Sequence, residues 1–125
     1  MDNFESIVER RTDIVFPQAA NTLGTLFGGR AMAMMDEVGA IAAIRACRKH
    51  VVTASIDRID FKEPIRIGEF VEAIARIAKV GRTSMTVEVQ LWAEHPTTGD
   101  RRLCTVGHFV FVAMGEDGKP TPVRA

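Results

Sequence analysis

The chain of 125 residues has few cysteines, no excess of either charge and no long apolar run, and each absence excludes a class of protein. Its 2 cysteines give neither a disulfide framework nor the spacing of a metal site, so we expect two reduced core thiols. The 16 basic residues are balanced by 16 acidic ones and are not concentrated in one run, which argues against nucleic acid as a partner. No apolar segment is long enough to span a membrane, and the first residues lack the apolar core of a secretion signal. The sequence therefore predicts one cytoplasmic domain over residues 1–125, without membrane insertion.

The most informative stretch is a small polar loop followed by a long run of helix-forming residues. The loop begins near Asn21, and the helix is predicted to run from Gly28-Gly29 to about residue 47 or 48. Most of the helix circumference is apolar, so we expect the helix to be largely enclosed. Asp36 is the exception, because it projects away from the charged stripe of the helix and lies among alanine and methionine. An acid on an apolar face is costly to bury unless it is hydrogen-bonded, which makes Asp36 a candidate functional residue.

Extended segments lie on both sides of this helix in the chain. Alternation of apolar and polar residues is clearest at Ser84–Ala93. In Val51–Lys62 the apolar positions change phase near Asp57 and Arg58, which predicts a bulge or sharp bend. The predicted strands are Arg11–Phe16, Val51–Lys62, Phe70–Val80, Ser84–Ala93 and Arg102–Met114.

The order of these elements predicts the fold class. Short turns join the strands that follow the helix, which is typical of an antiparallel meander. We therefore predict an α+β fold in which a curved five-stranded antiparallel sheet wraps one long central helix. A lone sheet of this kind leaves its edges and part of the helix uncovered, so we expect at least a dimer.

One sequence pattern also resembles a known family of enzymes. The pattern is Asn21-x-x-Gly24-Thr-Leu-Phe-Gly28-Gly29-x-x-Met32-x-x-Met35-Asp36-Glu37-x-Gly39-Ala-Ile-Ala. It resembles the acyl-CoA thioester hydrolases of the hot-dog fold, in particular the cytosolic long-chain acyl-CoA hydrolase group. Similar residues follow at Val52–Asp57, Gly81–Ser84, Phe109–Val112 and Gly118–Pro120, whereas Phe27 stands where many relatives have histidine.

The resemblance implies a function and a set of residues for it. The chain is expected to hydrolyse acyl-CoA to a free acid and coenzyme A, with coenzyme A entering as part of the substrate and with no separate cofactor or metal. The catalytic aspartate of the family matches Asp36, and the asparagine of the preceding loop matches Asn21. In the family this pair comes from two subunits, so the smallest active unit is a homodimer, and relatives often assemble into a trimer of dimers.

The chemistry of thioester hydrolysis is consistent with these residue types. Asp36 could act as general base towards water or attack the carbonyl directly to form an anhydride, and the sequence leaves both open. Asn21 could orient the water or donate to the carbonyl. The main-chain N–H groups of Gly28 and Gly29 at the helix start are candidates for an oxyanion site.

Charged and hydroxyl side chains are candidates for the phosphates of coenzyme A. Arg82, Thr83 and Ser84 are the first candidates, and Lys62 and Arg66 are secondary ones. Each of these residues also has a simpler interpretation, because solvated turns have the same composition. Likewise, Asp36 could be a structural buried acid and Asn21 a turn residue.

Two other functions fit the same fold. A hydroxyacyl-thioester dehydratase would need a catalytic histidine near the helix, where the sequence has none. A non-catalytic acyl-CoA-binding protein would not need both Asn21 and Asp36. Hydrolysis is therefore the preferred hypothesis.

Overall fold

The computed structural model describes residues 4–124 as one long helix and one antiparallel sheet. Residues 1–3 and 125, which belong to the predicted domain, lie outside the described range. The helix and the strands are α1 (Gly28–Cys47), β1 (Val8–Ile14), β2 (His50–Phe61), β3 (Phe70–Val80), β4 (Ser84–Glu94) and β5 (Arg101–Met114). Short 3-10 turns occupy Phe4–Ser6 and Pro17–Ala19. The predicted fold class, one helix with a five-stranded antiparallel sheet, is confirmed.

The strand order is β1-β3-β4-β5-β2, so the predicted meander is wrong at β2. Strands β3, β4 and β5 do form a meander, but β2 pairs with β5 at the far edge of the sheet and not with its sequence neighbour β3. The connection over residues 62–69 makes this possible because it is long enough to cross the end of the sheet. Its first two residues still donate main-chain hydrogen bonds to Cys104 on β5 before the chain crosses to β3.

Strand β1 begins and ends earlier than predicted. It runs along β3 with Val8 opposite Arg76 and Ile14 opposite Phe70. The polar run between Val8 and Ile14 hides any alternation, which is why the apolar residues that follow it suggested a later strand. Val15 lies just beyond the strand and is buried, with its main-chain N–H bonded to the carbonyl of Glu69 at 3.0 Å.

The core lies between α1 and the concave face of the sheet. A Cβ atom on Gly39 would come within 3.1 Å of the Phe111 ring, and one on Gly107 would come within 2.9 Å of the terminal methyl of Met35. The helix therefore packs closely on the central strand β4 and on its neighbour β5. Both cysteines are free; Cys104 is buried, and burial raises the pKa of its thiol.

The opposite side of the helix is uncovered, as predicted for a lone sheet, so the helix is less enclosed in one chain than its apolar circumference indicated. Ala33, Glu37, Ile41 and Ile44 form an open face, on which Ile41 is 40% and Ile44 37% exposed. The sheet can cover only one side of α1, because a single layer of strands packs against a single helix face. Many apolar residues of the helix are buried against the sheet, and those on the open face, Ile41 and Ile44 above all, are exposed in the isolated chain.

Strand β2 contains the bulge predicted near Asp57. The register with β5 shifts between Ile56 and Arg58, so that Asp57 has no partner. A second shift between Thr53 and Ser55 leaves Ala54 without a partner, and the sequence pattern did not predict this bulge. Each bulge bends the strand and increases its twist, which curves β2 towards the helix.

Candidate active site

Asp36 lies on α1 at the border between the buried side and the open face. Its carboxylate is half-buried, and Oδ1 accepts a hydrogen bond of 2.6 Å from the hydroxyl of Thr53 on β2. Within residues 4–124 no main-chain N–H and no basic side chain is bonded to this carboxylate. The acid is therefore oriented by one hydroxyl and keeps acceptor capacity for a further group.

Thr53 is the site residue that sequence reasoning missed. It lies opposite Phe111, so it is on the concave side of β2 that faces the helix. The segment Val52–Asp57 contributed to the family resemblance, but nothing in its composition distinguished this threonine from an ordinary strand residue. Only the packing of β2 beside α1 brings its hydroxyl to the carboxylate.

Asn21 organises the loop that precedes the helix. Its Oδ1 accepts hydrogen bonds from the main-chain N–H groups of Leu23 (2.9 Å) and Thr25 (3.1 Å), and its Nδ2 donates to the hydroxyl of Thr25 at 2.9 Å. Asn21 therefore stabilises a turn, as its simpler interpretation predicted. Its oxygen already has two donors, whereas the amide group has a second N–H with which it can act as a donor.

Few atoms surround the first two residues of α1. Nothing lies within 4 Å of a Cβ atom on Gly29, and a Cβ on Gly28 would meet only the Phe61 ring, at 3.8 Å. The first intrahelical bond runs from Ala31 to Phe27, so the earlier N–H groups of α1 have no partner within the helix. A groove of about 300 Å³, which we call the helix-start groove, opens beside Gly28 between Ala31, Phe61, Lys62 and Ile65.

The five candidates for binding coenzyme A do not come together in one chain. Lys62 lines the helix-start groove, and Arg66 lies on the same connection, at the end of the sheet where α1 begins. Arg82, Thr83 and Ser84 lie at the other end of the sheet, because Ser84 pairs with β5 near the end of that strand. The turn that carries them is held by main-chain hydrogen bonds to Arg82 and Thr83.

Asn21 and Asp36 are likewise separate within the chain. No hydrogen bond joins them in the described residues. Asp36 lies about 12 Å along the helix axis from Gly28, at 1.5 Å per residue, whereas Asn21 lies in the loop before the helix. One chain alone therefore does not place both side chains around one small substrate group.

A strong electrostatic perturbation is found at Glu69, on the connection that crosses the sheet. Hydrogen bonds from the Arg102 side chain lower the pKa of Glu69 from 4.5 to about 2. Among the described side chains there is no group of three or more His, Cys, Asp or Glu residues that could hold a metal ion. No helix within residues 4–124 is long and apolar enough to cross a membrane.

Comparison with known proteins gives the family of this chain. The model of the thioesterase superfamily matches residues 23–99, which include the helix, β2, β3 and β4. The chain belongs to the thioesterase superfamily. This confirms the family resemblance and the prediction of a thioester hydrolase.

One relative of this chain is the Bacillus subtilis protein YkhA, which is named an acyl-CoA thioester hydrolase. The two are 42% identical over 113 residues, which cover 90% of this chain and 66% of YkhA. This thioesterase chain thus spans about two thirds of the length of that relative.

Solved structures of acyl-CoA hydrolases confirm the hot-dog fold. The Staphylococcus aureus enzyme, in complex with butyryl coenzyme A and coenzyme A, superposes with a TM-score of 0.92 at 34% identity and covers 98% of this chain and 74% of its own. Three other structures of that enzyme have alanine in place of one asparagine, one aspartate or one threonine. A hexameric acyl-CoA thioesterase superposes with a TM-score of 0.93 at 40% identity, over 97% of this chain and 78% of its own.

Proposed function

We propose that this thioesterase hydrolyses acyl-CoA to a free carboxylic acid and coenzyme A, at a site shared by two subunits. The observation that carries the proposal is the Asp36 carboxylate, which is oriented by Thr53 and bound by no main-chain amide in residues 4–124. A purely structural buried acid would have its oxygens satisfied by several donors. The acyl-CoA hydrolases among its relatives and structural neighbours support the substrate class.

Asp36 acts as the general base in this proposal. Its carboxylate takes a proton from water, and the resulting hydroxide forms a bond to the thioester carbonyl carbon. The tetrahedral oxyanion then collapses, the C–S bond breaks, and the thiolate of coenzyme A leaves and takes up a proton. The alternative, direct attack by Asp36 to form an anhydride that water then hydrolyses, gives the same products.

Asn21 and the helix start stabilise the carbonyl oxygen. Asn21 acts as a donor, because its oxygen is already engaged by two main-chain N–H groups of its own loop. The main-chain N–H groups of Gly28 and Gly29 point out of the helix start, where the helix dipole favours negative charge. A well-placed donor of this kind contributes about 3 kcal/mol to catalysis.

The separations along the chain support a third member of the site. In the S. aureus enzyme the three residues replaced by alanine are an asparagine, an aspartate and a threonine, in that order. Their separations along that chain equal those between Asn21, Asp36 and Thr53. We therefore assign Thr53 the role of orienting the Asp36 carboxylate towards the attacking water.

A homodimer completes the site. The outer edge of β2 has no partner strand in the described chain, and Val52 and Ile56 on it are exposed, as are Ile41 and Ile44 on the open face of α1. Antiparallel pairing of β2 with β2 of a second copy would extend the sheet and cover these residues. It would also bring Asn21 of one subunit towards Asp36 of the other. Hexameric relatives support assembly of such dimers into a trimer of dimers.

The same arrangement unites the candidates for binding coenzyme A. When two β2 strands run antiparallel, the His50 end of one lies beside the Phe61 end of the other. The turn with Arg82, Thr83 and Ser84 of one subunit would then be at the same end of the dimer as Lys62 and Arg66 of the other. We propose that these side chains bind the phosphates of the substrate from both subunits, and that no further cofactor takes part.

Thiol release from a panel of acyl-CoA substrates tests the activity. Release from saturated chains that carry no hydroxyl group supports hydrolysis, and loss of a 3-hydroxyacyl substrate without thiol release would indicate a dehydratase. Binding of acyl-CoA without turnover would indicate a regulator.

Mixing two inactive variants tests the shared site. Heterodimers of Asn21→Ala and Asp36→Ala chains contain one intact site if the residues come from different subunits, so we expect up to about half of the wild-type activity per dimer. Absence of recovery in heterodimers verified by two affinity tags would show that each site is built within one chain.

A further inference from the structure

One partly buried ion pair joins the connection between β2 and β3 to the start of β5. The Arg102 guanidinium donates from Nη1 to Glu69 Oε2 at 2.7 Å and from Nη2 to Oε1 at 2.8 Å. Its Nη2 also donates to the carbonyl of Pro64 at 2.7 Å. Glu69 is only 7% exposed, and its Oε1 accepts a further bond of 2.8 Å from the main-chain N–H of Arg66. The pair therefore fixes the connection at several points along its length.

The connection that this pair fixes is hydrogen-bonded to the loop that carries Asn21. Two main-chain hydrogen bonds, 2.7 and 3.0 Å long, pair segment 65–67 with segment 24–26 around an antiparallel bridge between Thr25 and Arg66. We call these two segments the loop ribbon. The side chain of Asn21 binds both the main-chain N–H and the hydroxyl of Thr25. A continuous series of hydrogen bonds thus runs from Arg102 to Asn21.

We propose that Arg102 and Glu69 are positioning residues, which hold Asn21 in its catalytic place through the loop ribbon. This inference rests on the proposed role of Asn21 as a donor. Neither residue of the pair is bonded to Asp36 or Thr53 in the described chain, so their effect on turnover passes through the loop. A shift of the ribbon by a fraction of an ångström is enough to misplace the amide of Asn21.

The planar geometry of the pair suits this role. Arginine binds a carboxylate with two parallel N–H donors, which fixes the orientation of both groups as well as their distance. Lysine keeps the charge but cannot form this fork, and glutamine keeps the shape of glutamate but loses the charge. Arg102→Lys and Glu69→Gln therefore weaken the pair without leaving a large cavity.

The chain offers a matched control in the neighbouring arginine. Arg101 also contacts two carboxylates, those of Glu72 (2.7 Å) and Glu94 (3.1 Å), and lies over the Trp92 ring. None of these partners belongs to the loop ribbon. Arg101→Lys should therefore disturb an arginine–carboxylate cluster of similar size and leave Asn21 in place.

Steady-state kinetics with butyryl coenzyme A test the proposal. We expect Arg102→Lys and Glu69→Gln to lower kcat about 10-fold with KM within about twofold of the wild type, and Arg101→Lys to keep both constants within about twofold. Each variant is compared at the same interval below its own melting temperature, with its oligomeric state verified by light scattering. Unchanged kcat in Arg102→Lys and Glu69→Gln, together with lowered melting temperatures, would mean that the pair is only structural.

A double-variant cycle identifies the route of the effect. If Arg102 acts through Asn21, adding Arg102→Lys to Asn21→Ala lowers kcat by less than about twofold. An equal loss in the wild-type and Asn21→Ala backgrounds would overturn the proposal and leave the proposed function intact. Full activity of Asn21→Ala alone would instead remove the role of Asn21 itself, and with it this inference, whereas hydrolysis with Asp36 as the base would stand.

Discussion

The two edges of the sheet differ in length, composition and in what their side chains contact. Strand β1 has 7 residues, and its charged side chains are engaged with neighbouring elements: Glu9 with Arg45, Arg10 with Glu72, and Arg11 with Glu37 and Asp13. Strand β2 has 12 residues, two bulges, and exposed apolar side chains such as Val52 and Ile56. A short strand with paired charges resists the addition of another strand, whereas a long edge with apolar side chains invites it.

The comparison also separates two adjacent acids on the helix. Asp36 and Glu37 are adjacent on α1, yet Asp36 is bound by Thr53 of β2 and Glu37 by Arg11 of β1. The acid on the β1 side is paired with a cation, and the acid on the β2 side is not. The contact that orients the candidate base therefore belongs to the edge that is open in the isolated chain.

The largest expected difference in activity is between alanine variants of the two adjacent acids, Asp36 and Glu37. Asp36→Ala should retain less than about 1% of wild-type kcat/KM, which is the loss expected for a general base. Glu37→Ala removes a surface ion pair on the other side and should keep activity within about twofold. Thiol release measures both, and near-normal turnover of Asp36→Ala would exclude this residue from the mechanism.

Two apolar residues with the same exposure test the edges themselves. Val8 on β1 is 40% and Ile56 on β2 is 39% exposed. Ile56→Lys places a charge in the proposed dimer interface, so we expect the dimer to dissociate and activity at nanomolar protein to fall about 30-fold. Val8→Lys should leave the assembly unchanged. Analytical ultracentrifugation measures both, and a stable dimer of Ile56→Lys would place the interface elsewhere.

Two threonines that bind carboxylates give a smaller contrast. The Thr53 hydroxyl, on the edge strand β2, donates to the Asp36 carboxylate at 2.6 Å. The Thr12 hydroxyl, on the opposite edge strand β1, donates to the Glu72 carboxylate at 3.3 Å. Thr53→Val keeps the side-chain shape and removes the donor, so kcat should fall about 10-fold, or about 1.4 kcal/mol, with KM unchanged. Thr12→Val should have no measurable effect on kcat. Equal kcat values for the two variants would show that the Thr53 hydroxyl does not orient the base.

The smallest expected effect is a loss of folding stability at low pH, which arises from Glu69 on the connection between β2 and β3. Because the folded-state pKa of Glu69 is lowered from 4.5 to about 2, mainly by Arg102, the ionised pair stabilises the fold above pH 4.5 and this contribution is lost as pH falls towards 2. We expect a loss of about 1 kcal/mol, less than the roughly 3 kcal/mol of a water-free site, because water reaches part of the pair.

Urea unfolding at a series of pH values measures this loss. Glu69→Gln has no carboxylate to protonate at this position, so its free energy of unfolding should lose that part of the pH dependence. A wild-type slope in Glu69→Gln would mean that other carboxylates govern the acid response.

Much of the fold was predictable because its signals are local. The helix and β3 lie where the sequence places them, since a long apolar run and turn residues mark their ends. The position of β2 was not predictable in the same way, because a chain of eight residues can either turn back or cross the sheet. The crossing depends on contacts between residues distant in sequence, above all the pairing of β2 with β5.

The residues of the candidate site also differ in whether the sequence could predict them. Asp36 is visible in the sequence because an acid interrupts an apolar helix, and Asn21 because it belongs to a family pattern. Thr53 was missed because its role depends on the strand curving towards the helix. The bulge at Ala54 helps to place it there, and this small apolar residue preserves an apparent alternation that conceals the bulge.

The two bulges in β2 let this strand lose a residue without moving Thr53 to the other face. Each extra residue inverts the parity of the side chains that follow, so Thr53, Ile56 and Ile59 all lie on the helix side although their numbers do not share parity. Because Thr53 and Ser55 already lie opposite consecutive residues of β5, deleting Ala54 would remove one bulge and keep Thr53 in phase with Ile56. Deleting Asp57 would have the same effect on the second bulge. Either bulge residue can therefore be lost singly without turning Thr53 away from the helix, although the strand would lose part of its local twist.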